Sequence, residues 1–253
     1  MPLLENNVAV VTGAATGLGQ AIAAGFAREG ANVVLLDIDG EGAFRAAAEI
    51  RSNGDFASAY QLDVTDNEAC HEVAARIAKE VGQVSILVNN AGINRFNAFT
   101  ADPQDVRKDW QDIMAINLNG VFQVTQAFLP PLRATKGRII NMGSIKSFVH
   151  ATTPASVAYT SSKHAVLGLT KGLAVELAKD GIRVNAIGPG IITTKLNEEL
   201  RTSSGWQHMI DHTPLGRPGT TDDVVGPAIF LASDMSAYVN GTILMVDGGF
   251  TTV

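Results

Sequence analysis

The amino-acid sequence predicts an α/β domain built around one buried parallel sheet. Short apolar runs rich in Val, Ile and Leu alternate with longer segments whose apolar residues recur at helical spacing. This alternation is typical of right-handed βαβ units, in which helices cover both faces of a parallel sheet. With 253 residues and 46% hydrophobic residues, the chain can form one large core, so we expect a single domain over residues 1–253.

Composition and charge narrow the classes of partner. The net charge of -6 disfavours nucleic acids and anionic membranes, because proteins that bind them carry basic surfaces. No apolar run approaches the roughly 18 residues of a membrane span, and the N-terminus lacks the basic and apolar regions of a signal peptide. Cys70 is the only cysteine, which suits a reducing compartment. We therefore expect a cytoplasmic protein whose partners are small molecules.

The first predicted strand, residues 8–11, leads into a glycine-rich turn. Gly13, Gly17 and Gly19 precede a helical pattern that includes Ile22. In this context glycines allow a tight turn, close approach of the backbone to a pyrophosphate, and contact between helix and strand. The free N–H groups at the helix N-terminus also favour a phosphate. The turn therefore predicts nucleotide binding, whereas a glycine trio outside this context would more often be a flexible loop.

The second predicted strand, residues 32–36, ends in Asp37, which indicates the type of nucleotide. A carboxylate at this place suits the two ribose hydroxyls of adenosine and would repel a 2′-phosphate. Thr16, where a basic residue would help to bind that phosphate, is uncharged. NAD is therefore favoured over NADP. The alternative is that Asp37 only caps the turn at residues 39–40.

The rest of the chain continues the alternation of strands and helices. We predict helices over 41–53, 67–81, 103–130 and 222–232, a helix from Tyr159 to about residue 178, and strands over 57–62, 85–88, 138–142, 183–187 and 243–246. Residues 191–206 show no clear strand, and we expect a substrate flap over about 191–215. Gly13, Asp37, Asp63 and Asn90 each follow a predicted strand, so they should converge at the carboxyl edge of the sheet, where such folds bind ligands.

Tyr159 and Lys163 lie four residues apart on a predicted helix and should share one face. A nearby ammonium favours the phenolate, so we expect the pKa of Tyr159 to be drawn from about 10 toward neutrality, where proton transfer is efficient. Asn117 lies in the apolar stripe of the predicted helix 103–130. A buried amide without partners costs about 1–3 kcal/mol, so Asn117 should either kink the helix or join a polar relay.

Together these motifs resemble the short-chain dehydrogenase/reductase family, in its branch with subunits of about 250 residues. The resemblance covers essentially the whole chain and rests on Thr12-Gly-x-x-x-Gly-x-Gly19, Asn89-Asn-Ala-Gly92, Asn117, Ser144, Tyr159-x-x-x-Lys163 and Pro189-Gly190, in that order. It implies a seven-stranded, doubly wound, Rossmann-type sheet. It also implies a nicotinamide cofactor and, usually, a homotetramer.

The resemblance assigns a role to each catalytic position. Tyr159 is expected to exchange a proton with the substrate hydroxyl or carbonyl, and Ser144 to hold the same oxygen. Lys163 is expected to lower the pKa of Tyr159 and to bind the nicotinamide ribose, while Asn117 supports a water in the proton path. The expected cofactor contacts are Gly13, Thr16, Gly17, Leu18, Gly19, Asp37, Asp63, Val64, Asn90, Ala91, Gly92, Tyr159, Lys163, Pro189, Gly190, Ile192 and Thr194.

The spacing of the serine departs from the family pattern. The family usually places it thirteen residues before the tyrosine, whereas Ser144 precedes Tyr159 by fifteen and Ser147 by twelve. We prefer Ser144, because it directly follows a predicted strand, and we place the extra residues in the loop 148–157. Lys146 and His150 near this loop suggest a polar or anionic substrate, although both could be solvated loop residues.

Two other features have weaker chemical readings. His208 and His212 have the spacing of a helical metal pair, but Pro214 and the missing third ligand argue against zinc, so we expect no metal. Trp206, in the predicted flap, could pack or contact substrate.

The sequence therefore predicts an NAD-dependent oxidoreductase that transfers a hydride between nicotinamide and a secondary alcohol or ketone, such as a polyol, sugar or sugar acid. One alternative is a 3-oxoacyl-[acyl-carrier-protein] reductase, which normally prefers NADPH; Asp37 counts against it. A second alternative, from a different class, is a non-catalytic nucleotide-sensing regulator. The presence of all four catalytic residue types counts against that alternative.

Overall fold

The computed structural model describes residues 2–150, 156–194 and 198–253. Its strands are β1 Val8–Thr12, β2 Asn32–Asp37, β3 Ala57–Gln61, β4 Ile86–Asn89, β5 Arg138–Met142, β6 Arg183–Pro189 and β7 Ile243–Val246. Its helices are α1 Gly17–Arg28, α2 Gly40–Ser52, α3 Asn67–Glu80, α4 Pro103–Met114, α5 Val121–Thr135, α6 Val157–Glu176, α7 Ser204–Asp211 and α8 Thr221–Ala232. No helix within the described ranges is both long and apolar enough to cross a membrane.

The seven strands form one parallel sheet in the order β3-β2-β1-β4-β5-β6-β7. The chain runs outward from β1 through β2 to β3 and then returns to place β4 on the other side of β1. The loops that follow β1 and β4 therefore diverge and leave a crevice at the carboxyl edge, which is the usual ligand site of such sheets. The predicted doubly wound α/β fold is confirmed.

Alternating residues of the strands pack into two apolar cores, one on each face of the sheet. Val11 of β1 lies in the core formed with α1, α2 and α8, whereas its neighbour Val10 lies in the core formed with α3, α5 and α6. Phe26 and Phe128 are fully buried in these two cores, respectively. Burial of both faces explains why most strands are continuously apolar rather than alternating with polar residues.

The segment predicted as one helix over 103–130 is helical throughout, but its pitch changes within it and it extends further than predicted. α4 and α5 are joined by a π-helix, Ala115–Gly120, and α5 continues to Thr135 through two prolines. The π-helix contains the buried Asn117, whose amide binds a neighbouring loop instead of solvent. Gly120 also lies against β3–α3 loop residue Val64, since a Cβ at Gly120 would be 2.7 Å from Val64 Cγ2. Close packing at both residues accompanies the change in helical pitch.

The segment predicted as a flap contains a helix that the sequence pattern did not indicate, α7. At the start of this segment, Thr193 N donates to Gly219 O and Gly219 N donates to Ile191 O, both at 2.8 Å. These bonds fasten the chain after β6 to the residue just before the N-cap of α8. Residues 195–197 of the flap lie outside the described residues, as do residues 151–155 of the loop 148–157.

Candidate active site

A cavity of about 390 Å³ opens at the carboxyl edge of the sheet, where β1, β4, β5 and β6 end. It is lined by Gly13, Thr16, Gly17, Leu18, Asp37, Ile38, Leu62, Asp63, Val64, Asn90, Ala91, Gly92, Ile93, Ile116, Met142, Gly143, Ser144, Tyr159, Lys163, Pro189, Gly190, Ile192 and Thr194. The structure thus brings every predicted cofactor residue except Gly19 to one cavity, together with Ser144.

The glycine-rich turn presents uncapped backbone N–H groups to this cavity. Gly13 and Gly17 have φ of 64° and 63°, a region that favours glycine. Thr16, the N-cap of α1, makes no side-chain capping bond, and the first turn contains no acidic residue. By contrast, Asp39 and Asp66 cap α2 and α3 through their side chains. The N-terminus of α1 therefore suits an anionic group such as a pyrophosphate.

Gly19 does not line the cavity, so its predicted contact with the cofactor stays a prediction. A Cβ at this position would lie 2.2 Å from Gly13 O and 2.5 Å from Asn90 Nδ2. Asn90 Nδ2 also donates to the carbonyls of Thr12 and Gly13, each at 2.9 Å. Gly19 is therefore required for packing of α1 beneath the turn, and Asn90 holds the turn in place through its side chain.

Asp37, the last residue of β2, and Asp63, which follows β3, make one end of the cavity acidic. Asp37 Oδ2 accepts from Ala15 N at 2.9 Å, and its Oδ1 accepts from Asp39 N at 3.0 Å. Asp37 thus lines the cavity and also supports the following turn, and its contact with a ribose stays a prediction. Asp63 Oδ1 accepts from the backbone and hydroxyl of Thr65. Among the described residues that line the cavity, Lys163 is the only cation.

Ser144, Tyr159 and Lys163 meet at the other end of the cavity. The Ser144 hydroxyl is hydrogen-bonded to the Tyr159 phenol. It also accepts from Lys146 N at 3.1 Å, which leaves its proton to be donated. Lys163 Nζ donates to Met142 O at 2.7 Å and lies 5.6 Å from the centroid of the Tyr159 ring. Ser156 caps α6 at Tyr159 N, which fixes the start of the helix that carries both residues.

The pKa of Tyr159 does not follow the expectation drawn from its spacing to Lys163. Burial raises this pKa above the ordinary value, and the hydrogen bond from Ser144 opposes the rise. Burial also lowers the pKa of Lys163 to about 8. The expectation that Lys163 draws the pKa of Tyr159 toward neutrality is therefore wrong in this structure, because desolvation of the phenol dominates.

Asn117 does not line the cavity but joins two elements that do. Its Oδ1 accepts from Ile93 N at 2.8 Å, and its Nδ2 donates to Ile93 O at 2.9 Å. The same Nδ2 lies 3.4 Å from Ser162 Oγ, which donates to Tyr159 O. Asn117 therefore connects the loop after β4 to the helix that carries Tyr159.

The three residues predicted for substrate alone do not line the described cavity. Lys146 is only 5% exposed, and burial lowers its pKa to about 8, so it is not a solvated loop residue. His150 is exposed, with Nδ1 2.8 Å from Thr160 Oγ1 on α6. Trp206 lies on α7, near the end of which the rings of His208 and the C-cap residue His212 have centroids 4.0 Å apart and are tilted by 50°. No group of three metal-binding side chains occurs among the residues that the structure describes.

The sequence reasoning missed six lining residues, most of them apolar: Ile38, Leu62, Ile93, Ile116, Met142 and Gly143. All six lie within one or two residues of a predicted site residue, and all but Ile116 lie at strand ends or in the loops that follow them. Ile38 is 62% exposed although it follows a buried strand. An isoleucine that directly follows the ribose-binding candidate Asp37 is the one signal that could have indicated an apolar wall.

Comparison with known proteins identifies the family of the chain. A family model described as Enoyl-(Acyl carrier protein) reductase matches residues 13–251. The chain is 39% identical over 245 residues to gluconate 5-dehydrogenase of Gluconobacter oxydans (strain 621H), covering 96% of this chain and 94% of the relative. The chain belongs to the short-chain dehydrogenase/reductase family. Members of this family are oxidoreductases that use a nicotinamide cofactor.

Two further similarities bear on cofactor and substrate. The chain is 37% identical over 247 residues to a 3-oxoacyl-[acyl-carrier-protein] reductase of Thermotoga maritima, covering 97% of this chain and 98% of the relative. The crystal structure of a gluconate 5-dehydrogenase from Burkholderia cenocepacia J2315, in complex with NADP and tartrate, superposes with a TM-score of 0.92. It is 37% identical, and the match covers 99% of this chain and 97% of that one.

Proposed function

We propose that this oxidoreductase transfers a hydride between NAD and a secondary alcohol or ketone of the polyol, sugar or sugar-acid class. The observation that carries the proposal is the single cavity that joins the uncapped turn before α1 to the Ser144–Tyr159 hydrogen bond. A dinucleotide bound along this cavity would have its phosphates at α1 and its other end near Tyr159. The nicotinamide, when bound, accepts or donates the hydride.

The catalytic residues supply the proton and hold the reacting oxygen. Ser144 donates a hydrogen bond to the substrate oxygen and keeps it beside the phenol. In ketone reduction Tyr159 gives its proton to that oxygen, and its raised pKa keeps the proton available. In alcohol oxidation the deprotonated Tyr159 takes the proton from the substrate hydroxyl, and Lys163, held by Met142 O, lies 5.6 Å from the centroid of its ring. Asn117 holds the loop after β4 against α6, so the position of Tyr159 at the cavity is the same for oxidation and for reduction.

The preference for NAD rests on the charges at the adenosine end. Asp37 and Asp63 line it, and the nearest basic residue after Asp37, Arg45, is exposed and faces Asp39 and Glu41 at 3.8 and 3.7 Å. A 2′-phosphate would therefore meet carboxylates without a cation. The similar enzyme from Burkholderia cenocepacia is in complex with NADP, so the cofactor preference of this chain is tested directly by kinetics.

The Asp37 proposal is tested by cofactor kinetics. We expect Asp37→Ala to raise the ratio of kcat/KM for NADP to that for NAD by about tenfold or more, because it removes the repulsive carboxylate. Glu41→Ala, which removes an exposed acid of α2, is the matched control. A wild-type preference for NADP would contradict the proposal.

A substrate screen separates the candidate functions. Absorbance at the NADH band is followed with both cofactors against polyols, sugars, sugar acids and 3-oxoacyl thioesters. Turnover of polyols or sugar acids with NAD supports the proposal. Turnover restricted to 3-oxoacyl thioesters with NADPH supports the second candidate function, a 3-oxoacyl-[acyl-carrier-protein] reductase, which the similarity to the Thermotoga maritima enzyme favours. Nucleotide binding without any turnover would indicate a sensing protein.

We further propose that residues 1–253 act as one domain, with 191–215 as the substrate flap, in a cytoplasmic homotetramer. The edge strand β7 supports the assembly, since all four of its apolar residues are partly exposed. Such an edge favours pairing with another chain. A sedimentation measurement that gave a monomer would overturn the tetramer without affecting the chemistry.

A further inference from the structure

The hydroxyl of Ser147 joins two backbone segments of the candidate active site. Ser147 Oγ accepts from Ser144 N at 3.3 Å and donates to Lys163 O at 2.8 Å. Ser147 ends the 3-10 turn Ile145–Ser147, and its own N donates to Ser144 O at 2.9 Å. The side chain is 2% exposed. It therefore bridges the turn that begins at Ser144 and the middle of α6.

Ser147 is not placed to contact the substrate. It does not line the cavity, and a serine hydroxyl has one proton to donate, which the Lys163 carbonyl receives. Gly143 leaves space for this hydroxyl, since a Cβ there would lie 3.2 Å from Ser147 Oγ. The arrangement differs from that of Ser144, whose hydroxyl reaches Tyr159.

We propose that Ser147 is a positioning residue whose hydroxyl fixes the distance between Ser144 and the helix that carries Tyr159 and Lys163. This inference rests on the proposed function, because it assigns Ser147 to the same reaction. Without the bridge, the Ser144 turn can move relative to α6 and its hydrogen bond to Tyr159 is weakened. Displacements of about 1 Å at such sites reduce rates by up to about 10²-fold.

A pair of isosteric variants isolates the hydroxyl from packing. Ser147→Thr keeps the hydroxyl and adds a methyl group, whereas Ser147→Val has the shape of the Thr variant without its hydroxyl. Ser147→Ala removes the hydroxyl without adding volume, so it is compared with wild type if both larger variants unfold. Ser236→Ala is the matched control, because Ser236 is fully buried and donates to Leu231 O and Ser233 O at the end of α8, away from the cavity.

The first readout does not depend on turnover. The chain has three tyrosines, so Tyr60→Phe with Tyr238→Phe leaves Tyr159 as the only phenol, and its ionisation is followed by phenolate absorbance. We expect the pKa of Tyr159 to be higher in the Val and Ala variants than in the Ser and Thr forms, because the hydrogen bond from Ser144 that opposes its rise is weakened. Every variant keeps Lys163 and Lys146, the titratable groups of the adjoining helix and turn. Equal pKa values in all four forms would overturn the proposal.

The second readout is the rate with a substrate found in the screen. We expect kcat to fall about tenfold in Ser147→Val and Ser147→Ala relative to Ser147→Thr, with KM for NAD changed less than about twofold. Ser236→Ala should lower stability without lowering kcat. A similar kcat in the Thr and Val variants would refute positioning by the hydroxyl. A wild-type protein without turnover would refute the proposed function alone, because the phenolate titration still tests the bridge.

Discussion

The buried ammonium of Lys163 lowers the free energy of unfolding, and this effect should depend on pH. The side chain is 6% exposed, and burial lowers its pKa to about 8 from 10.5. Below about pH 8 the group is protonated in both the folded and the unfolded chain, and the folded state bears the full cost of burying the charge. Between about pH 8 and 10.5 the unfolded chain retains a proton that the folded chain lacks, so stability rises with pH.

The substitution Lys163→Met removes the buried charge and therefore measures its cost to stability. A pKa difference of about 2.5 units corresponds to about 3 kcal/mol, and loss of the hydrogen bond to Met142 O offsets roughly 1 kcal/mol of the gain. We therefore expect the variant to unfold with a free energy about 2 kcal/mol higher than the wild type near pH 7. Above about pH 10.5 the cost of the buried charge disappears, so this advantage should vanish.

The assay is denaturant unfolding, followed by circular dichroism at fixed protein concentration from about pH 7 to pH 11. Lys171→Met replaces an exposed lysine of the same helix and is the matched control. Lys146→Met should show the same trend as Lys163→Met, because burial lowers the pKa of Lys146 to a similar value. A difference between Lys163→Met and wild type that does not change with pH would refute the reasoning.

Two further perturbations test the packing around the site. Gly19→Ala should lower the free energy of unfolding by about 1–3 kcal/mol and weaken NADH binding, because its Cβ would meet Gly13 O. The control is Gly226→Ala, which should not destabilise the protein because a Cβ there meets nothing within 4 Å. Denaturant melts with and without NADH measure both effects. Asp223→Asn should lower Tm at neutral pH, since Asp223 binds Arg217 twice and caps α8, and these bonds hold the pKa of its carboxyl well below the usual range. That stabilisation is lost as the pH falls below about 3.8, so thermal melts of variant and wild type should converge in acid; a constant difference in Tm would contradict this.

The sequence was sufficient for the sheet and for most of the cavity because parallel strands leave local signals. An apolar β-branched run followed by Gly13, Asp37 or Asn90 places that residue at the carboxyl edge wherever the strand pairs. Resemblance to a family supplied the number and winding of the strands. The order of the strands then places these ends around one crevice.

Features that depend on contacts between distant segments were not predictable in the same way. Gly19 belongs to the glycine motif, but the motif alone does not show that a side chain at this position would meet Asn90 of a distant segment. The π-helix contains Asn117, whose hydrogen bonds go to Ile93, 24 residues away. Lys146 was predicted to contact substrate, with a solvated loop residue as the alternative, because no local pattern shows that the turn after β5 is buried against α6. The pKa of Tyr159 required the balance of burial and charge, which spacing alone does not give.

The central claim is that Tyr159 exchanges the proton while the cavity holds the nicotinamide cofactor. The most direct test compares wild type with Tyr159→Phe in two measurements, NADH formation from NAD with a substrate found in the screen and NADH affinity by fluorescence. We expect the variant to lose turnover by at least about 10³-fold while its NADH affinity stays within about threefold. Normal turnover in Tyr159→Phe would contradict the account.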